Sequence, residues 1–284
     1  MIDLETYALR ARDIYSGSTL ARRLKTLRQY ARFLEERGLE PGPESLALWL
    51  DELRRRGLSP NSIRAYAQDV MSYFDVMMVG VDERELERLR RTLPPIRPRP
   101  VDYLTDEEVA RLIRATPSPV RRLIYALMYA YARRLGEVLA LTWRDVDLER
   151  KTITFTILKK RVPERATFPL EPWIERMIVE SREHLGRERL FELTERAVER
   201  AFKRDCVLAG IRPGGRRLRP HILRHSRITS LRDKGVPLDI VSKYLARHSR
   251  YETTVLFYRA VTEREAAGIP PAGEVLGIDS QSGH

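Results

Sequence analysis

The chain has 284 residues, with 52 Lys and Arg against 40 Asp and Glu for a formal net charge of +12, and 43% of it is hydrophobic. That composition excludes a disordered chain and allows two separate cores, while a single cysteine, Cys206, excludes a disulfide framework or a thiolate metal cluster and fits a reducing compartment. No apolar run reaches the length of a membrane span and the opening MIDLETY is acidic, so a cytoplasmic protein without membrane attachment is expected.

The first 93 residues predict four helices. Ser18-Thr19 can cap a segment with Leu20, Leu24, Leu27, Tyr30, Phe33 and Leu34 at helical spacing, which stops near Gly38. EPGPE breaks the chain, LALWLDELRRRG reads as a second amphipathic helix, and Ser59-Pro60 open a third. ERELERLRRTL closes the unit. PPIRPRP then packs prolines against arginines and predicts a stiff basic linker over residues 94–101.

Beyond the linker, Thr105 caps DEEVARLIRA, and residues 119–132 place Val120, Leu123, Ile124, Leu127, Met128 and Tyr131 on one helical stripe, the expected core helix of a second domain. KTITFTIL alternates Ile153, Phe155 and Ile157 with threonines and predicts a half-buried strand paired with RATFPL. Lys159 and Lys160 fall in the turn between them. The remainder reads as helical, with Cys206 a small buried filler, and the tail past Pro270-Pro271 carries only a short apolar VLGI.

Charge is distributed unevenly. From Cys206 to Arg232 the chain holds seven arginines and no acid, a pattern better explained by a polyanionic partner than by a solvated face. The same region holds HILRHSR, in which His221 and Arg224 stand at i and i+3 and so share one helical face. His248 and Tyr258 follow. Upstream, YAYARRLGEVLALTWRDVDLE sets Arg134 three residues before Glu137. Each has a bland reading alone: His221 as a helix cap, His225 as structural, His248 and Tyr258 as core. Those readings give no reason for the set to occur in this order.

The order resembles the tyrosine recombinase family, in its Xer-like, archaeal or phage-integrase-like form. The resemblance spans nearly the whole chain, because the N-terminal helices with SPNSIRAY are similar to the family's core-binding domain. It implies a mainly α fold: a four-helix, SAM-like core-binding domain over 1–93 and a mixed, mostly helical catalytic domain with a small β-hairpin over 102–265. A tail over 266–284 would dock on a neighbouring protomer. By resemblance the catalytic set is Arg134, one of Lys159 and Lys160, His221, Arg224, His248 and Tyr258, with Glu137 in support. Arg64, Arg133, Arg216, Arg217, Arg219 and Arg227 are the expected DNA contacts.

The chain departs from the family pattern in three places. Ala132-Arg133-Arg134 stands where the family has Gly-Leu-Arg, which makes Arg133 a rival of Arg134. Ala246-Arg247 precedes His248 where Leu-Gly is usual. Counted from Thr253-Thr254 the nucleophile falls on Phe257, whereas Tyr258-Arg-Ala-Val-Thr matches the downstream pattern, which assigns Tyr258 with one residue inserted.

The chemistry accounts for the residue types. Tyrosine attack on a DNA phosphodiester gives a 3′-phosphotyrosine ester that conserves the bond for religation, without metal, ATP or other cofactor. Two arginines clamp the non-bridging oxygens where negative charge builds, and histidines donate hydrogen bonds or take the phenolic proton. A lysine can release a proton to the leaving 5′-hydroxyl, which arginine holds too tightly to do. The expected partner is double-stranded DNA, and the resemblance implies a homotetramer on two DNA sites, with a monomer or dimer when free. The same scaffold admits a type IB topoisomerase-like relaxing enzyme and a catalytically silent DNA-binding protein, the latter if the register falls on Phe257.

Overall fold

The computed structural model describes residues 2–78, 80–95, 101–157 and 164–246. The chain divides into two compact units, Met1–Pro98 and Arg99–His284.

The first unit is helical throughout its described residues: α1 (Leu4–Ala11), α2 (Gly17–Arg37), α3 (Pro43–Arg55), α4 (Pro60–Met77) and α5 (Glu83–Thr92). Local chemistry sets the ends. Ser59 accepts from the Ser62 N–H at 3.2 Å ahead of Pro60, and Gly38, at φ +62°, ends α2 in a left-handed turn. The described residues of this unit form five helices, where four are expected for residues 1–93. At eight residues, α1 is too short to be stable alone, and packing is what forms it. Tyr7 is fully buried against Tyr73 with ring centroids 5.5 Å apart, and its hydroxyl meets Ser72 at 3.2 Å. The cap of α2 is Ser16, not Ser18-Thr19, so the helix starts a residue ahead of the expected cap. Leu27, Tyr30, Leu46, Trp49, Leu50, Val70, Phe74 and Leu86 fill the core. Asp69, 1% exposed, sits beside Arg22 and Arg23 and accepts from the Thr26 hydroxyl at 2.9 Å, so a buried carboxylate ties α2 to α4.

The second unit opens with α6 (Asp106–Ala115), where Thr105 and Glu108 form a reciprocal capping box. Next come α7 (Pro119–Ala130) and the short α8 (Leu135–Leu139). Leu123 through Met128 are all fully buried, so α7 is a central helix covered on every side. An antiparallel sheet of order β1-β2-β3 follows: β1 (Val146–Asp147), β2 (Thr152–Ile157) and β3 (Glu164–Pro169), with Ile153 opposite Phe168 and Phe155 opposite Ala166. The hairpin of β2 and β3 is the expected one. The two-residue β1 adds a third strand too short to leave a periodic signal. Then come α9 (Pro172–Glu180), α10 (Glu195–Leu208) with Cys206 buried, α11 (His221–Asp233), a turn of helix α12 (Leu238–Ile240) and a π-helical segment Val241–Ala246. Among the described residues no helix is long and apolar enough to cross a membrane.

Candidate functional site

The site is built around the point where α7 ends. The chain leaves α7 through Tyr131 and turns at Ala132, which is fully buried and held at φ +49°. A left-handed conformation costs a non-glycine residue about 1–2 kcal/mol, and here it aims two consecutive arginines in different directions. Tyr131 anchors the turn: its hydroxyl donates to Pro169 O at 3.0 Å and accepts from the Glu171 N–H at 3.0 Å. Burial pushes its phenol up to about 12.

Arg133 points inward and is 0% exposed. Its Nε donates to Tyr131 O at 2.8 Å, its Nη2 donates to Leu245 O, and its guanidinium lies 5.2 Å from the Phe168 ring centre and 5.7 Å from that of Phe155. Arg134 faces outward with 24% of its side chain exposed. It is the residue before α8, and Glu137 one turn on holds it at two points, accepting from its backbone N–H at 3.1 Å and from Nη1 at 2.7 Å. Glu137 is 1% exposed and also lies 3.9 Å from Arg133 Nη1. One buried carboxylate therefore serves two guanidiniums, which leaves the cluster with net positive charge.

Helix α11 brings the second group. Arg224 is 1% exposed and its Nη1 donates to Ala132 O, the carbonyl of the turn that presents Arg134. His221 is exposed at the start of the same helix, and its ring meets His225 edge to face, with centroids 4.6 Å apart at 88°. Burial first, and Arg224 second, hold the His225 imidazole down to about 4, so it is neutral at physiological pH.

The arginines expected at DNA divide by environment. Arg217 and Arg219 project from the surface, as does Arg212. Arg216 instead grips Glu108 at 2.7 and 2.8 Å and donates to Tyr103 O at 3.0 Å, fastening the loop before α11 to α6. Arg227 is half-buried with its guanidinium 5.5 Å from the Tyr129 ring centre. In the first unit, Arg64 is half-buried and donates to Pro94 O at 3.1 Å. Arg133, expected among these contacts, is enclosed. Sequence reasoning passed over Glu108 and Asp102, the acids that answer the one-sign basic stretch. The Asp102 carboxylate accepts from the Arg217 N–H at 2.9 Å. Their local sequence does not mark them as partners of that stretch, because they lie over a hundred positions from it. Lys159, Lys160, His248, Phe257 and Tyr258 lie outside the described residues.

Comparison with known proteins places the chain in a family. Residues 102–265 match the model of the phage integrase family. The chain is 33% identical over 258 residues to the tyrosine recombinase XerA of Thermococcus onnurineus, covering 84% of this chain and 86% of that one. It is 30% identical over 257 residues to XerA of Pyrococcus furiosus, covering 84% of each. Among solved structures, a lambda integrase dimer bound to a core site superposes with a TM-score of 0.71 at 18% identity, over 93% of this chain and 96% of that one. The XerH recombinase bound to its difH substrate superposes with a TM-score of 0.64 at 21% identity, over 94% and 83%. These likenesses carry the mainly α fold, and the sequence match carries the kinship. The chain belongs to the phage integrase family of tyrosine recombinases, enzymes that cleave and rejoin DNA.

Proposed function

We propose that the chain is a site-specific recombinase that cuts and rejoins double-stranded DNA through a 3′-phosphotyrosine intermediate, with Tyr258 as nucleophile. The observation that carries this reading is the bond from Arg224 to the Ala132 carbonyl, which joins the two arginine motifs of the resemblance at one turn. Arg134, held by Glu137 and partly exposed, is the better placed of the two adjacent arginines to meet a phosphate; Arg133 faces the interior.

In the proposed reaction the Tyr258 oxygen attacks phosphorus and the 5′-oxygen leaves. His221 and His248 assist at the non-bridging oxygens or with the phenolic proton, and Lys159 or Lys160 protonates the leaving oxygen. Arg134 and Arg224 stabilise the charge that builds on the phosphoryl oxygens. The exposed Arg217 and Arg219 and the half-buried Arg227 of the second unit, and Arg64 of the first, supply contacts to the DNA backbone. Four protomers on two DNA sites would exchange strands in pairs, in resolving chromosome dimers or moving a mobile element, with the tail over 266–284 reaching a neighbouring protomer.

The test is incubation of the protein with a nicked duplex bearing the recombination site, without ATP, followed by denaturing electrophoresis beside Tyr258→Phe. A covalent protein–DNA band that disappears in the variant is expected. A band that survives the substitution overturns the assignment of Tyr258, and binding without any band overturns the recombinase reading in favour of a silent DNA-binding protein. Relaxation of supercoiled DNA by a monomer would instead identify a topoisomerase-like enzyme.

A further inference from the structure

We propose that Arg133 is a positioning residue that fastens the turn carrying Arg134 to the start of the segment leading to His248 and Tyr258. The inference rests on the recombinase reading for its catalytic consequence, and on geometry for the fastening itself.

Three features single Arg133 out. The first is its enclosure: a guanidinium at 0% exposure is costly to bury and persists only where its donors and charge are matched. The second is its span. One planar fork reaches Tyr131 O at the end of α7 and Leu245 O in the π-helical segment, while Nη1 faces Glu137 at 3.9 Å. The third is a parallel contact at the same place. The Phe168 ring, which lies under Arg133, meets Tyr244 edge-on at 5.6 Å. Side chain and ring thus hold neighbouring residues of one short segment against the sheet.

A leucine here, as in the resembling pattern, could fill the space beneath Phe155 and Phe168 but could donate to neither carbonyl. A lysine could keep the charge over the rings but lacks the rigid planar fork whose separate Nε and Nη2 reach the two carbonyls. Because Glu137 contacts both arginines, displacing Arg133 also alters the carboxylate that orients Arg134. In the sequence His248 follows Leu245 by three residues.

The experiment compares full-length wild type with Arg133→Leu and Arg133→Lys. It reads melting, non-covalent affinity for the site, single-turnover covalent complex formation at saturating DNA, and amide hydrogen exchange over 241–246 and over 123–130. In the lysine variant, exchange over 241–246 should rise about tenfold while that over 123–130 stays unchanged. Single-turnover cleavage should fall about tenfold or more with affinity within about threefold, and Arg133→Leu should lose more than Arg133→Lys. Folded variants with wild-type exchange and wild-type cleavage overturn the proposal. So does a lower melting temperature with an unchanged rate per folded molecule, which is what a purely structural arginine would give. Should Arg133→Leu fail to fold, Arg133→Lys decides. A wild-type protein that forms no covalent complex refutes the recombinase reading instead, and the exchange over 241–246 then decides whether Arg133 fastens the segment.

Discussion

Glu137 offers the sharpest test of how this site is held. Its carboxylate is 1% exposed, accepts from Arg134 at backbone and side chain, and lies 3.9 Å from Arg133. Glu137→Ala would remove the carboxylate that both guanidiniums share and would uncap α8. Breaking a buried pair by removing one partner costs about 3–5 kcal/mol. Arg134 retains 24% exposure and can turn to water, so the low end, about 3 kcal/mol, applies. For a unit of this size each kcal/mol moves the melting temperature by about 2–4 °C, which predicts a fall of roughly 6–12 °C. Glu137→Gln keeps only one of the two acceptor oxygens that meet Arg134 and loses the other with the charge, so it should cost about 2 kcal/mol, less than Glu137→Ala. The assay is calorimetry of the full chain, where the two compact units can melt separately, with single-turnover cleavage measured alongside. A Glu137→Ala protein that melts within about 2 °C of wild type would refute the shared-carboxylate account, and so would equal losses for Ala and Gln.

Other outcomes follow from the same geometry. Ala132 holds a left-handed turn, so Ala132→Gly should relieve backbone strain, lose a buried methyl and gain unfolded-state entropy, with a net change within about 0.5–1 kcal/mol by urea denaturation. Ala132→Val should cost more than about 2 kcal/mol, and a tolerated valine would mean that the turn is not strained. His225 titrates near 4 in the native state against its ordinary 6.5, so its neutral form stabilises the protein fully above about pH 6.5. As pH falls from 6.5 toward 4 the unfolded chain takes up a proton that the native state refuses, and about 3 kcal/mol is lost. His225→Phe should flatten that part of the urea-midpoint profile relative to wild type; an unchanged slope would remove His225 as its cause. Arg217→Ala and Arg219→Ala should each lower the salt dependence of DNA binding by about one unit of slope without moving the melting temperature. Arg216→Ala, which leaves Glu108 unpaired, should lower melting instead, and the reverse pattern would exchange their roles.

Much of this protein can be read from its residues in order. The helix starts at Ser59-Pro60 and Thr105, the hairpin of alternating threonines, and the buried stripe of the central helix are local signals, since capping, turn chemistry and periodicity act within a few residues. The motif order also sufficed to place the chain in its family, because Arg134, Glu137, His221 and Arg224 recur at recognisable separations.

Other features arise only from contacts distant in the chain. Helix α1 carries a local cap, Asp3 accepting from the Thr6 N–H, but its eight residues are held in place by Tyr7 packing on Tyr73, far along the sequence. Adjacent Arg133 and Arg134 are chemically identical in the sequence. A backbone turn at Ala132, two phenylalanines of the sheet and a carbonyl at Leu245 send one inward and leave the other facing out. The basic stretch looked uniform because its acids, Asp102 and Glu108, lie in another part of the chain; folding pairs Arg216 and leaves Arg217 and Arg219 exposed. Residue type and spacing determined which chemistry this chain can carry. Burial and long-range pairing, which depend on what the fold brings alongside, decided which arginines are enclosed and which face outward.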